Sequence, residues 1–351
     1  MSDFLLFARG LLDVAADVLT QRWRLRDVPP IDSIGSSADG LTYIVTGPTS
    51  GIGTETAAAL LRRKAHVILA CRDQERGQKL KRSLEEQAEA HGNLQPSAEV
   101  MVLDVSCLQS VRGFVQHWKQ QQRPLHGLIN NAGIFDIGSS QGYAKSKDGF
   151  ELHMATNYLG PYLLTMLLLP SLQRSGTPER PARVVNVSSS MANTCVLDMA
   201  DPQLAKPGAW SGVRAYSQSK LCQVLITAEL RRRLAGDNRV FVCATDPGIV
   251  ITNVVRSTPG WLQSLYRSLL AQLLMNPKQG ARSSVHCATC KHITNENGPA
   301  QCLFDCACTP LAPKARTVDP AVGRWLWTWS ADVTGLPSEL DLCEQRTNGY
   351  A

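Results

Sequence analysis

Directly after the apolar run Leu41-Thr-Tyr-Ile-Val45 the chain reads Thr46-Gly-Pro-Thr-Ser-Gly-Ile-Gly53, and an alanine- and leucine-rich amphipathic stretch follows at once. Three glycines at the joint between a strand and a helix constrain the fold more than any other feature. Glycine lets backbone approach a pyrophosphate closely, and the helix N-terminus behind it offers free N–H groups and the positive end of its dipole. The expectation is a nucleotide-binding turn built from Thr46, Gly47, Thr49, Ser50, Gly51, Ile52 and Gly53. Its G-x-x-x-G-x-G spacing departs from the commoner dinucleotide fingerprint.

From Leu41 onward, short apolar runs alternate with longer amphipathic ones, the pattern of a doubly wound parallel α/β sheet. Strands are expected near 41–46, 66–70, 99–103, 127–130, 183–188, 239–244 and 301–304. Helices are expected near 52–63, 73–91, 107–121, 149–169, 215–235, 260–275 and 277–289. The fold class is therefore a single Rossmann-type α/β domain over 41–310, a seven-stranded parallel sheet with helices on both faces. Residues 1–28 read as an N-terminal amphipathic helix, 29–40 as a linker, and 311–351 as a C-terminal extension with a helix near 318–332.

A chain of 351 residues with 44% hydrophobic and 19% charged residues can bury a deep core. The net charge of +6 is mild and its basic clusters are scattered, so no nucleic-acid partner is expected. Eleven cysteines is an odd number, and most sit singly in apolar segments, which suits reduced thiols better than a disulfide framework. Cys287, Cys290, His292, Cys302, Cys306 and Cys308 have the residue types of a zinc site, but a short strand-like stretch explains buried thiols there more simply, and no metal is expected.

In a doubly wound sheet, ligands gather at the carboxyl ends of the strands. The second strand ends in Cys71-Arg72-Asp73, with Arg76 one turn on. An arginine there pairs with a 2′-phosphate and an acid with a 2′-hydroxyl, so Arg72 favours NADP(H), while Asp73 keeps NAD(H) open. Asp104 and Val105 close the third strand and would flank the adenine, or cap the next helix.

Tyr216 and Lys220 stand four residues apart, on one face of an expected helix. At about 4 Å and an effective dielectric near 20 their attraction is on the order of 4 kcal/mol, roughly three pKa units off a phenol's usual value of about 10. Such a pair would move a proton near neutral pH. Tyr143 and Lys147 have the same spacing. Context favours the first pair, because Tyr143 lies in a polar loop whereas Tyr216 opens a stretch with Leu221, Val224, Leu225 and Ala228 on one stripe.

The fourth strand ends in Asn130-Asn131-Ala132-Gly133. With the glycine turn, Asn157, the serine run Ser188-Ser189-Ser190 and Tyr216-x-x-x-Lys220 in order, residues 40–308 resemble the short-chain dehydrogenase/reductases. The resemblance implies hydride exchange between a nicotinamide and an alcohol or carbonyl. Tyr216 would pass the proton, Lys220 would lower its pKa and hold the nicotinamide ribose, Ser189 would hold the substrate oxygen, and Asn157 would position a water feeding Lys220. Asn131, Ala132 and Gly133 would line the cofactor. Pro247, Gly248, Val250 and Thr252 resemble the segment that meets the carboxamide.

Residues 190–215 are longer than a tight connection needs, and the apolar stripe at 261–274 suggests core packing, a homodimer contact or a lipophilic tunnel. Cys71-Arg-Asp73 and Lys147-Asp-Gly-Phe-Glu151 look like the retinol-dehydrogenase branch, which implies a retinoid, polyprenol or steroid-like substrate. Residues 1–28 are too broken by charge to span a bilayer; an interfacial helix and a helix packed on its own domain both fit. The expected location is a membrane surface, at the endoplasmic reticulum or a lipid droplet, with cytoplasm or plastid as alternatives. The competing function is an NADP(H)-binding scaffold or redox sensor without turnover.

Overall fold

The computed structural model describes residues 3–93, 95–136, 142–250, 274–293, 302–311 and 318–342. Its strands are β1 Thr42–Thr46, β2 His66–Cys71, β3 Ser97–Val102, β4 Gly127–Asn130, β5 Ala182–Val187, β6 Val240–Thr245, β7 Leu303–Phe304 and β8 Pro310–Leu311. They form one sheet in the order β3-β2-β1-β4-β5-β6-β7-β8. All neighbours are parallel except β7 and β8, where Leu303 faces Leu311 in an antiparallel pair. The sheet thus has eight strands, not the seven expected. Two residues, one of them a proline that suits only an edge, carry no periodic signal.

The α-helices are α1 Asp3–Arg24, α2 Gly51–Arg62, α3 Gln74–Ala90, α4 Leu108–Gln120, α5 Gly160–Ser175, α6 Gly212–Arg233, α7 Pro277–Thr289 and α8 Pro320–Thr334, with a π-helical turn at Met154–Leu159 leading into α5 and short 3-10 helices at Ile31–Ser33, Ser190–Thr194 and Ser338–Leu340. β1, β5 and β6 are buried along their whole length, as strands covered on both faces must be. Successive residues alternate between faces. Ile44, Leu128, Val184 and Val242 pack with Phe114 and Trp118 of α4 and with Leu163, Leu167 and Leu225 of α5 and α6. Val45, Ile129, Val185 and Phe241 pack on the other side with Leu60 and Leu61 of α2 and Cys287 of α7.

The flanking segments are tied to this body. Ile31, Ile34 and Ala38 are buried, and the Arg63 guanidinium donates to the Ile31 and Ile34 carbonyls. α8 seats Trp327 edge-on to Tyr162 of α5, with ring centroids 5.8 Å apart, and Tyr158 Oη meets Ser330 Oγ at 2.6 Å. α1 packs on the short 3-10 helix Ser190–Thr194, so closely that a Cβ on Gly10 would lie 2.6 Å from Thr194 Cα. Leu12, Leu19 and Trp23 point outward from α1, each about 70% exposed. No helix of the described residues is long and apolar enough to cross a membrane. The expected helix at 260–275 and Thr252 lie, except for residues 274 and 275, outside the described residues.

Candidate active site

The carboxyl ends of β1, β4, β5 and β6 bring together most of the residues singled out above. Gly47 and Gly51 have φ of +62° and +59°, in the left-handed region that a side chain disfavours. A Cβ on Gly47 would lie 2.9 Å from Ala132 Cα, and one on Gly53 would lie 2.4 Å from both Asn131 Nδ2 and Gly47 O. The turn is therefore as narrow as glycine permits. Asn131 Nδ2 donates to the carbonyls of Thr46 at 2.9 Å and Gly47 at 3.1 Å, and buried Thr46 Oγ1 accepts from the N–H groups of Asn131 and Ala132, each at 3.0 Å. These bonds lock the β1 turn to the β4 tip.

Ser50 is the N-cap of α2 and makes no side-chain capping bond, so its side chain does not occupy the first-turn N–H groups that follow Thr49. An anion fits there. At the β2 tip, Arg72 and Arg76 are exposed, while Asp73 Oδ1 accepts from Arg76 N at 2.9 Å and caps α3. Asp104 Oδ1 accepts from Ser106 N and Oγ, closing a turn after β3, and Val105 is buried beside it. Narrow glycine turn, helix terminus and flanking side chains together suit a dinucleotide.

Asn157 sits fully buried in the π-helical turn, a local form that recurs at functional sites. Its Oδ1 accepts from Ile134 N at 2.8 Å, and its Nδ2 donates to Ile134 O at 3.0 Å and Ser219 Oγ at 2.9 Å. A Cβ on Gly133 would meet Asn157 Oδ1 at 3.2 Å and Lys220 Nζ at 3.5 Å, so the N-N-A-G segment borders both side chains. Of the three serines, Ser188 is buried and donates to Lys220 O at 3.0 Å, and Ser190 gives its N–H to Asp246. Ser189 caps the 3-10 helix and is the one that hydrogen-bonds Tyr216. Tyr143 donates instead to Gln203 O, away from these groups.

The expected pull of lysine on the phenol is not met here. Burial pushes Tyr216 up to about 12; the bond to Ser189 works against that rise and the Asp246 carboxylate adds to it. Lys220 Nζ lies 5.7 Å from the Tyr216 ring centroid and spends its protons on Val187 O at 2.7 Å and Gln223 Oε1 at 3.1 Å. Burial brings Lys220 down to about 7, opposed by Asp246. Helical spacing set the pair on one face, but the carbonyl at the end of β5 and the α6 glutamine decide where the ammonium points.

Sequence reasoning missed several contributors. Asp246 is pushed up to about 6 by burial, with Gly248 and Ser190 N–H groups lowering it and Asp17 and Asp305 raising it. Gln223 holds Lys220, as above. Glu151 accepts from His153 Nδ1 at 2.9 Å, and His153 Nε2 accepts from Asp136 N at 3.1 Å, which steadies the segment carrying Phe135. Phe135 lies against Tyr216, with ring centroids 4.3 Å apart. Gln21 of α1 accepts from Ile249 N, beside Pro247, Gly248 and Val250. Most of these contacts leave no local signal, since their partners, apart from Lys220 for Gln223, Glu151 for His153 and Gly248 for Asp246, are distant in sequence. Of the cysteine cluster, Cys287 is buried in the core, and the described residues contain no group of three or more potential ligands placed to hold a metal.

The short chain dehydrogenase family profile matches residues 42–263. The chain is 35% identical to the Arabidopsis thaliana dehydrogenase/reductase SDR family member FEY, over 97% of this chain and 90% of that one. It is 38% identical to human retinol dehydrogenase 14 (85% and 87% covered) and 36% to human polyprenol dehydrogenase (84% of each). Among solved structures, an uncharacterized protein from Mycobacterium Paratuberculosis superposes with a TM-score of 0.67 at 30% identity, covering 88% of this chain and 98% of that one. With the glycine turn, the sheet order and relatives matched along most of their length in agreement, the chain belongs to the short-chain dehydrogenase/reductases, NAD(P)-dependent oxidoreductases of alcohol and carbonyl groups.

Proposed function

We propose that this enzyme works with NADP(H) on a lipophilic alcohol or carbonyl of retinoid, polyprenol or steroid-like character, at a membrane surface. The observation that carries the reading is the seat of α1. It lies on the 3-10 helix that follows Ser189 and on the segment that follows β6, and turns Leu12, Leu19 and Trp23 outward. These three positions fall on one helical stripe, so an apolar surface would meet the molecule next to the site. Phe135 against Tyr216 gives the reacting oxygen an apolar neighbour. The names of the retinol and polyprenol dehydrogenases that the chain resembles point the same way.

The cofactor preference rests on charge. Exposed Arg72 and Arg76 suit a 2′-phosphate, while the Asp73 carboxylate is engaged at the α3 N-terminus. The nicotinamide, when bound, supplies or accepts hydride. Tyr216 gives its proton to the carbonyl oxygen, or takes one from the alcohol, and Ser189 donates to that same oxygen. Lys220, its ammonium held on Val187 O and Gln223, is assigned to the nicotinamide ribose, and Asn157 fixes the Ile134 backbone. Purified full-length protein assayed with retinal, a polyprenal and a small ketone, each with NADPH and with NADH, tests the reading. Faster turnover of the lipophilic carbonyls with NADPH is expected; no turnover of any of them overturns it.

A further inference from the structure

The α6 helix carries a second buried polar side chain one turn beyond the lysine. Gln223 is 2% exposed and Lys220 is 4% exposed, and Gln223 Oε1 accepts from Lys220 Nζ at 3.1 Å. An ammonium only donates, so the amide carbonyl must face it. Nε2 then faces away, and among the described residues it has no hydrogen-bond partner. Tyr162 Oη of α5 is buried without a partner as well.

Both side chains line one small cavity between α5, α6 and α8, together with Asn186, Thr165 and Trp327, of about 20 Å³. A water needs at least roughly 10–15 Å³ and two to four polar partners. Nε2 supplies a donor, Tyr162 Oη a donor or acceptor, and Asn186 Oδ1, which takes one bond from Asn130 Nδ2 at 2.8 Å, keeps a second lone pair. Leaving a buried amide unpaired is costly. The cavity therefore has the size and the lining that hold one water molecule.

We propose that Gln223 is a positioning residue of the active site, and that one buried water bridging its Nε2 to Tyr162 Oη holds its carbonyl on the Lys220 ammonium. A hydrogen bond to the charged form favours that form. Gln223 thereby keeps Lys220 protonated against its burial. The other groups facing Lys220 are Tyr216 on its own helix, Asp246 at the end of β6, which also favours the charge, and Val187 O at the end of β5. The inference deepens the role proposed for Lys220, but its test does not depend on turnover.

The test is the titration of Lys220 followed by NMR of 15Nζ-labelled lysine in the full chain, with Lys220→Arg used to assign the resonance. A hydrogen bond to a charged group corresponds to about one pH unit. Gln223→Leu is expected to lower the midpoint by about that much, and Gln223→Glu to raise it by at least as much. Tyr162→Phe, which removes one anchor of the water, is expected to lower it by less. Unchanged midpoints in the Gln223 variants overturn the positioning role, and an unchanged midpoint in Tyr162→Phe overturns the water. If Gln223→Leu does not fold, Gln223→Glu decides alone. A protein that shows these shifts yet reduces no carbonyl fails the proposed function and not this inference.

Discussion

Gln21 Oε1 accepts a hydrogen bond from Ile249 N at 3.1 Å, joining the first helix of the chain to the segment that follows β6, 228 residues away. Gln21 is buried, and its oxygen lies so near Gly248 that a Cβ there would come within 3.1 Å of it. Gly248 also has φ of +73°, so this backbone is held in a form that needs both glycine and its neighbours. An N-terminal helix placed in this way braces the segment after β6, the segment assigned to the nicotinamide end of the site in the proposed function.

Removing that support should be felt in cofactor binding. Gln21→Ala loses a hydrogen bond of about 1 kcal/mol, which corresponds to roughly fivefold weaker binding of NADPH. Fluorescence titration of the nucleotide measures it. Deletion of residues 1–28 should weaken binding further, because the packing of Gly10 on Thr194 and of Leu25 with Met275 goes too.

Tyr216→Phe removes the only group placed to pass a proton to the substrate oxygen in the proposed mechanism. A positioned general acid contributes about 10²–10⁴ in rate, so kcat should fall by that order. NADPH affinity should hold, since Lys220 keeps its bonds to Val187 and Gln223. Steady-state kinetics and nucleotide titration together separate this outcome from a misfolded variant, which would lose both.

The sheet was legible because its strands are continuous buried runs such as Val184-Val-Asn-Val187 and Val240-Phe-Val-Cys243, set between amphipathic stretches whose polar faces are easy to read. β8 was not, since pairing with β7 rests on two residues whose partner comes from a turn. The same division runs through the site. Tyr216 and Lys220 share a face by helical geometry, which sequence spacing records. The ammonium's choice of Val187 O, the proximity of Asp246 to both groups and the reach of Gln21 to Ile249 depend on contacts between distant segments. Spacing predicts who can meet; it does not say which hydrogen bonds are taken first.

Asp246 makes stability depend on pH in an unusual direction for a carboxylate. Its folded pKa, raised to about 6, lies above the unfolded value near 3.9, so the folded chain binds the extra proton. The stabilisation this brings is fully present below the unfolded value and lost as pH rises through about 6. At pH 8 the buried charge is a cost, which Asp246→Asn removes while still accepting from Gly248 N. Allowing for partial exposure, the variant should gain roughly 1–2 kcal/mol at pH 8 and nothing near pH 4. Thermal melts across that range measure the gain, and a constant difference at every pH would count against the assignment.

Arg72 tests the cofactor preference. An arginine paired to a phosphate contributes about 1.5–3 kcal/mol, so Arg72→Glu should raise the KM for NADPH by roughly 10–100-fold. The KM for NADH, which lacks the 2′-phosphate, should stay or fall, because the new carboxylate can accept from the ribose hydroxyl. Equal losses with both nucleotides would mean that Arg72 serves the adenosine pocket in some other way.

The outward stripe of α1 can be separated from the inward contacts that Gln21 represents. Leu12, Leu19 and Trp23 are exposed, so replacing all three by serine leaves Gly10 on Thr194 and Gln21 on Ile249 untouched. Burying each large apolar side chain in a lipid interface is worth about 1.5–3 kcal/mol, and losing three should reduce vesicle binding by roughly a thousandfold or more. Turnover of a small water-soluble carbonyl should be unchanged, while turnover of a polyprenal presented in vesicles should fall with binding. Co-sedimentation with phosphatidylcholine vesicles, run beside both assays, reads the three outcomes at once. Vesicle binding that survives the triple substitution would put the membrane contact elsewhere on the molecule.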